Sequence, residues 1–155
     1  MPFWHQDQPN IEDAAEYGDV FGTTLTAGDF DHDGHDDLVI GVSSESVGTI
    51  AYAGAVNVLY GSPSGVRNDR VQFWHQDVSD VEDISVERDY FGAALVAGDF
   101  NGDGSDDLAI GIPGDELIPF HYNIIDPGAV GVIYGSGGLG LSAVYPADQR
   151  WTQAY

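Results

Sequence analysis

The chain has no cysteine and no lysine among its 155 residues, and four arginines are its only strongly basic side chains. Without cysteine it can form no disulfide framework and perform no thiol catalysis. Without a basic patch, nucleic-acid binding through phosphate neutralisation and attachment to anionic membrane surfaces are both strongly disfavoured. No apolar run approaches the roughly 20 residues of a membrane span, so membrane insertion is not expected.

Negative charge is what the chain has in excess, with 26 acidic residues and a formal net charge of −22. Its hydrophobic content of 43% is that of a folded domain, so it is not a disordered acidic chain. Such an acidic surface is common where divalent cations or salt are plentiful, which favours an extracellular setting. The first seven residues lack the basic and apolar regions of a signal peptide, so we expect that any such signal has been removed.

Carboxylates concentrate in two nine-residue segments, Asp29 to Asp37 and Asp99 to Asp107. In both, oxygen-bearing side chains occupy positions one, three, five and nine, and glycine occupies position six. Solvated turns are also rich in aspartate and glycine, but two copies in the same context favour metal binding. Clustered carboxylates repel one another unless a hard cation lies among them, and Ca²⁺ accepts six to eight oxygens. We predict two Ca²⁺ sites, with ligands Asp29, Asp31, Asp33, His35 (backbone carbonyl) and Asp37, and Asp99, Asn101, Asp103, Ser105 (backbone carbonyl) and Asp107.

The segments flanking these loops indicate strands rather than the helices of an EF-hand. Position twelve, which holds a bidentate glutamate in an EF-hand, is Ile40 in one copy and Ile110 in the other. Apolar residues alternate before each loop from Phe21 and Phe91, and short apolar runs follow it. Both patterns are typical of strands, so each loop is predicted to connect two strands.

The chain repeats itself with a period of about 70 residues, since the Phe-Trp-His-Gln-Asp motif at Phe3–Asp7 recurs at Phe73–Asp77. Each repeat is predicted to form four strands and no helix. Strands two and three are apolar on both faces, as expected when one sheet packs against the next. A radial stack of four-stranded sheets is a β-propeller. The predicted strands begin near Phe21 and Phe91, then cover 38–42 and 108–112, 55–60 and 129–134, and 71–75 and 150–153.

Three motifs follow one another in this order: Phe-Gly, then Gly-Asp-Phe-Asp-x-Asp-Gly-x-x-Asp-Leu, then Gly-Ala-Val-x-Val-x-Tyr-Gly. This order resembles the FG-GAP repeat of integrin-α-like propellers. The resemblance implies an all-β fold of two four-stranded blades, each with a calcium loop between its first two strands. It also implies a role in adhesion or ligand recognition outside the cell or at its surface. The predicted units are an outer-strand segment and entry loop (1–19), the first blade (20–77), a linking loop (78–89) and the second blade (90–155).

Two blades cannot close a propeller, because closed rings need about four to eight. We therefore predict a homo-oligomer, in which three copies give six blades or four give eight, or a place within a longer propeller. Trp-x-Gln motifs occur three times, so one outer strand is surplus. Either Phe3–Asp7 pairs with a neighbouring chain or Trp151–Gln153 completes the second blade.

The functional prediction is a non-enzymatic calcium-binding module that recognises a protein or glycan. Residues Phe120, His121 and Tyr122 lie in an insertion that breaks the repeat, where specific recognition is expected. Two alternatives stay open. The chain could be an accessory part of a secreted hydrolase, or a purely structural assembly without a ligand.

Overall fold

The computed structural model describes residues 3–12, 14–81, 83–115, 127–144 and 147–152. All regular secondary structure in these residues is β, arranged as two antiparallel sheets in the strand orders β1-β2-β3-β4 and β5-β6-β7-β8. We call these sheets blade 1 and blade 2. The predicted all-β fold of two four-stranded blades is confirmed. The strands are β1 Thr24–Gly28, β2 Asp37–Val42, β3 Ala55–Leu59, β4 Val71–Trp74, β5 Ala94–Gly98, β6 Asp107–Ile112, β7 Ala129–Ile133 and β8 Gln149–Thr152.

The first strand of each blade begins three residues later than predicted. Val20 and Gly22 have φ values of 55° and 86°, and Tyr90 and Gly92 have 57° and 84°. A positive φ is incompatible with an extended strand. The Phe-Gly dipeptides therefore lie in turns that precede the strands.

The main core lies between the blades. Val56 and Val58 of β3 are fully buried in one cluster with Ile110 of β6 and Ile133 of β7. Because side chains alternate along a strand, Val56 and Val58 share one face of blade 1. Blade 2 contributes the face that carries Ile110 and Ile133. The prediction that central strands are buried on both faces holds best for β3, whose five residues are all buried.

A smaller cluster covers the opposite face of blade 1. It consists of Ile11, Ile40 and Leu59, with Trp4 and Phe21 packed against it. The segment predicted as an outer strand, Phe3–Asp7, forms irregular backbone and turns. A strand needs an edge with which to pair, and this segment lies over the face of blade 1 and pairs with no strand of the described residues. The same five-residue motif at Phe73–Asp77 does begin within a strand, since β4 extends to Trp74.

Asn57 is a polar residue in an apolar position of β3. It pairs with Ile40 and Phe73 in the sheet and is fully buried, and neither polar atom of its side chain has a hydrogen-bond partner in the described structure. Burial without a partner costs the desolvation of the amide. We expect Asn57→Val to raise the free energy of unfolding by about 1–2 kcal/mol in urea denaturation.

The matched control for this substitution is Asn68→Val. Asn68 is only partly buried, and its amide donates a 2.8 Å hydrogen bond to the carbonyl of Pro9. Loss of that bond should lower the free energy of unfolding by less than about 1 kcal/mol. A destabilised Asn57→Val variant would show that the buried amide is satisfied in solution.

Candidate metal centre

Three carboxylates of the first acidic loop converge on one point. Oxygen atoms of Asp29, Asp31 and Asp37 all lie within 4.8 Å of one another. Pairing of Gly28 with Asp37 brings the two ends of the loop together, because these residues are the last of β1 and the first of β2. The sheet register thus gathers three of the four carboxylates predicted to bind a cation.

Backbone amides fix the carboxylates at both ends of this loop. Asp29 accepts hydrogen bonds from the N–H groups of Asp33 and Gly34, both at 3.0 Å. Asp37 accepts from Phe30 at 3.0 Å and from Gly61, which follows β3, at 2.8 Å. The first and ninth positions are therefore held by the turn and by the neighbouring strand.

The second acidic loop has the same framework. Asp99 accepts three backbone N–H groups at 2.7–3.1 Å. Asp107 accepts from Phe100 at 2.8 Å and from Gly135 at 2.9 Å, as Asp37 does from Phe30 and Gly61. Asn101 stands at the third position, and its side-chain oxygen accepts the N–H of Asp103 at 2.8 Å.

Positions five and seven are coupled in both loops. Asp33 accepts the N–H of His35 at 2.9 Å, and Asp103 accepts the N–H of Ser105 at 2.9 Å. These hydrogen bonds hold the carboxylate at position five against the backbone of the turn. Asp33 is not one of the three converging carboxylates. Coordination of a cation by any of the ten predicted residues stays a prediction.

The two loops differ at position three in a way that balances charge. Asp31 of the first loop is 4% exposed and forms an ion pair with Arg70, whose guanidinium lies 3.7 Å from the ring centroid of Tyr60. In the second loop Asn101 replaces the acid. Gln149 and Gln72 occupy the same register position in β8 and β4, so Ala147 is the counterpart of Arg70. Each loop thus keeps the same net charge from these positions.

Burial makes the charge of both loops costly. The pKa of Asp37 is raised to about 6, mainly by burial and also by the carboxylates of Asp31 and Asp29, against the lowering effect of two backbone hydrogen bonds. Burial also raises the pKa of Asp107. The converging ligands are oxygens, without sulfur or imidazole, and this set fits a hard cation such as Ca²⁺.

The first loop is also attached to blade 2. The N–H of Asp29 donates to the carboxylate of Asp106 at 2.9 Å, and the N–H of Asp106 donates to the carbonyl of Asp29 at 2.9 Å. The carbonyls of Phe30 and Asp31 accept N–H groups from Ser136 and Gly138 at 3.1 and 2.7 Å. The conformation of this loop therefore determines how the two blades are joined.

Comparison with protein families agrees with this repeated geometry. The FG-GAP repeat model matches residues 21–59 and again residues 91–122. The chain contains two FG-GAP repeats. Each match includes the Phe-Gly turn, the acidic loop and the second strand of a blade.

Relatives of these FG-GAP repeats include a phospholipase D and an integrin alpha chain. The chain is 34% identical over 115 residues to mouse phosphatidylinositol-glycan-specific phospholipase D and 33% identical over 124 residues to the human protein. It is 37% identical over 103 residues to integrin alpha-PS5 of Drosophila melanogaster. These matches cover 74%, 79% and 65% of the chain but only 13%, 14% and 10% of the relatives.

A second acidic cluster was missed by sequence reasoning. Carboxylate oxygens of Glu16, Asp19 and Glu45 lie within 4.8 Å of one another, and the amide of Gln6 donates to Glu45. Glu45 is fully buried and Asp19 is 4% exposed. These acids are spread over 30 residues, so no local spacing marks them. The available signal was the repeat itself, since Asp89 and Asp115 stand 70 residues after Asp19 and Glu45.

The corresponding cluster of the second FG-GAP repeat contains an arginine. The guanidinium of Arg150 on β8 lies 2.9 Å from the carboxylate of Asp115 and 3.0 Å from that of Asp83. The residue at the same register position of blade 1 is Phe73. The second cluster therefore has a partly buried counter-charge from β8, whereas β4 supplies an aromatic ring at that position.

Asp89 in this cluster should make stability depend on pH. Its pKa is raised to about 6, mainly by burial and also by the charges of Asp115 and Asp83. The folded state therefore binds a proton more tightly than the unfolded state, so stability falls as pH rises from about 4 through 6. We expect Asp89→Asn to add about 1–3 kcal/mol to the free energy of unfolding at pH 7 and little at pH 4.

Urea denaturation at both pH values, in EDTA to remove bound cations, measures this difference. The control is Asp80→Asn, because Asp80 is exposed and its positive φ of 73° suits asparagine. That variant should follow the unmodified chain at both pH values. An equal gain for Asp89→Asn at pH 4 and pH 7 would contradict the assignment.

The insertion with Phe120, His121 and Tyr122 lies outside the described residues, so its role in recognition stays a prediction. In the part of the chain that is described, no helix has the length and apolar character needed to cross a membrane.

Proposed function

We propose that each FG-GAP repeat binds one Ca²⁺ in its acidic loop and that the ion is mainly structural. The observation that carries this proposal is the convergence of Asp29, Asp31 and Asp37 within 4.8 Å. The proposed ligands are the side chains of Asp29, Asp31, Asp33 and Asp37 with the carbonyl of His35, and those of Asp99, Asn101, Asp103 and Asp107 with the carbonyl of Ser105.

The ion would act through the loop on the contact between blades. Ca²⁺ offsets the mutual repulsion of the carboxylates, including the ionised form of Asp37 that burial disfavours. It would thereby hold the backbone of Asp29–Asp31, whose polar groups bond to Asp106, Ser136 and Gly138 of the second repeat. Metal binding and blade packing are coupled in this proposal.

Calorimetric titration of Ca²⁺ into the metal-free chain tests it with paired variants. Asp29→Asn and Asp99→Asn change the same loop position and keep a side-chain oxygen that can accept the backbone N–H groups. We expect two ions per unmodified chain and one per single variant. Asp36→Asn is the control, because Asp36 is exposed, lies in the same loop and is not a proposed ligand. Two ions bound to Asp99→Asn would contradict the assignment of the second site.

The biological role that we propose is non-enzymatic recognition of a protein or glycan, outside the cell or at its surface. The integrin alpha relative and the acidic composition support it. A groove between the two loops also supports it, with the polar side chains of His32, Asn101 and Ser136 in its lining. Immobilised proteins and glycans should bind the chain more strongly with Ca²⁺ than with EDTA. Absence of binding in both conditions would favour the purely structural alternative.

A second candidate follows from the phospholipase D relatives. The chain could belong to the non-catalytic part of a hydrolase, since its match spans 13% of the mouse protein. Turnover of a glycosylphosphatidylinositol substrate by the chain alone would contradict the non-enzymatic assignment. Binding of that substrate without turnover would support this candidate over recognition of an unrelated ligand.

A further inference from the structure

One face of blade 2 is apolar and exposed, whereas the same face of blade 1 is core. Val130 and Trp151 are paired in register on this face and are 43% and 63% exposed. Their counterparts on blade 1, Val56 and Trp74, are paired in the same way and are 0% and 7% exposed. Val96 of β5 shares the exposed face of blade 2 and is 57% exposed.

The second repeat covers this face in blade 1, and it does so with its Phe-Gly turn. The N–H of Phe91 donates to the carbonyl of Ala53 at 2.8 Å, and the carbonyl of Gly92 accepts the hydroxyl of Thr24 at 2.6 Å. A Cβ on Gly54 would lie 2.3 Å from the carbonyl oxygen of Phe91. Glycine is therefore required where the turn is seated.

Blade 2 has the same groove, and no other described residue fills it as the Phe-Gly turn fills that of blade 1. A cavity of about 520 Å³ is lined by residues that include Gly111, Gly128, Ala129, Val130 and Trp151. The strands β6 and β7 pair in the same register as β2 and β3. The first four of these residues therefore correspond to the residues of blade 1 that contact the Phe-Gly turn, namely Gly41, Gly54, Ala55 and Val56. We call this cavity the blade-2 groove.

The chain itself carries a segment shaped for the blade-2 groove. Val20 and Gly22 have φ values of 55° and 86°, against 57° and 84° for Tyr90 and Gly92 in the occupied contact. The turn formed by Val20–Gly22 is thus preformed in the bound conformation. Val20 is 63% exposed.

Residues around the groove and the turn show the same complementarity. Leu95 packs on Gly41 of blade 1, where a Cβ placed on this glycine would lie 3.4 Å from the Cδ1 atom of Leu95. The counterpart of Leu95 in blade 1, Leu25, is 60% exposed. Phe30 is fully buried beneath the second repeat, whereas its counterpart Phe100 is 52% exposed. One side of a blade contact is free on each end of the described structure.

We propose that the blade-2 groove binds the Val20–Gly22 turn of a second copy of this chain, and so repeats the contact between blade 1 and blade 2. The contact is head-to-tail, because the groove of one copy binds the turn of the next copy. Such contacts generate closed rings or open filaments. Rings of three or four copies would have six or eight blades, within the range of propellers. The proposal rests on apolar surface and backbone shape and does not require the calcium assignment.

Sedimentation velocity over a range of concentrations tests the contact with two variants that alter exposed residues. Val130→Asp places a charge in the groove, and Leu25→Asp places one beside the turn. We expect the unmodified chain to sediment at three or four times the 16.5 kDa chain mass and each variant to sediment as a monomer. Ile84→Asp is the control, because Ile84 is 59% exposed in the linking loop, beside Asp83, which contacts Arg150 on the opposite face of blade 2.

Mixing the two variants gives the sharpest result. Val130→Asp keeps an intact turn and Leu25→Asp keeps an intact groove, so the mixture should form a 1:1 dimer and nothing larger. Circular dichroism should show the same β content for both variants as for the unmodified chain. A monomeric unmodified chain at all concentrations would overturn the proposal, because the groove would then require another occupant. An unmixed variant that keeps the unmodified mass would overturn it as well.

Discussion

Removal of Ca²⁺ with EDTA should lower the melting temperature of the chain by roughly 10–20 °C. At free Ca²⁺ of about a hundred times the dissociation constant, each site contributes about 2.7 kcal/mol. For a domain of this length, a change of 1 kcal/mol shifts the melting temperature by roughly 2–4 °C. The physical origin is the cluster of Asp29, Asp31 and Asp37, whose mutual repulsion the ion pair of Asp31 with Arg70 relieves only in part. Differential scanning calorimetry in Ca²⁺ and in EDTA measures the shift.

The control for this shift is the double variant with Asp29→Asn and Asp99→Asn. Its melting temperature should be the same in Ca²⁺ and in EDTA, because each loop has lost its first ligand. Mg²⁺ should replace Ca²⁺ poorly, since it demands near-octahedral geometry and retains its waters. An unchanged melting curve of the unmodified chain in excess EDTA would contradict a structural role for the ion.

Loss of Arg150 should destabilise the chain by about 3–5 kcal/mol, since one partner of a buried ion pair is removed. The guanidinium side chain is 22% exposed, and its partners Asp115 and Asp83 are 4% and 14% exposed. In Arg150→Leu these carboxylates would be left without their counter-charge near Asp89, whose pKa is already raised by burial. Chemical denaturation at pH 7 measures the loss.

The matched control is Arg67→Leu. Arg67 forms an ion pair with Asp69, and both side chains are 54% exposed, so the pair contributes less than about 1 kcal/mol. A second substitution should partly rescue the first, because Asp115→Asn removes one of the unpaired charges in Arg150→Leu. Equal effects of Arg67→Leu and Arg150→Leu would show that the buried cluster is neutralised by another route.

The repeats, the strands and the acidic loops could be predicted from the sequence because they are local patterns. Apolar alternation before Asp29 and the apolar run after Asp37 predicted two strands joined by the loop, and the structure has β1 and β2 there. The spacing of oxygen side chains predicted which carboxylates would converge, and three of the four in the first loop do. The recurrence of the pattern at Asp99 carried the prediction to blade 2.

What the sequence did not predict depends on contacts between distant segments. The fully buried Glu45 contacts the amide of Gln6, and Arg150 on β8 contacts Asp83 in the linking loop. The exchange of Asp31 and Arg70 for Asn101 and Ala147 is likewise visible only when two strands are aligned. The outer-strand prediction for Phe3–Asp7 stays a prediction, because the segment pairs with no strand of the described residues and the edge it needs would come from a neighbouring chain.

The most direct test of the central claim is a crystal structure of the chain grown with Ca²⁺, in which anomalous scattering locates the ions. The account predicts one anomalous peak in each acidic loop. In the first loop, carboxylate oxygens of Asp29, Asp31 and Asp37 should lie about 2.3–2.6 Å from the ion. In the second loop, Asp99, Asn101 and Asp107 should do the same. Crystals at saturating Ca²⁺ with no anomalous peak in either loop would contradict the account.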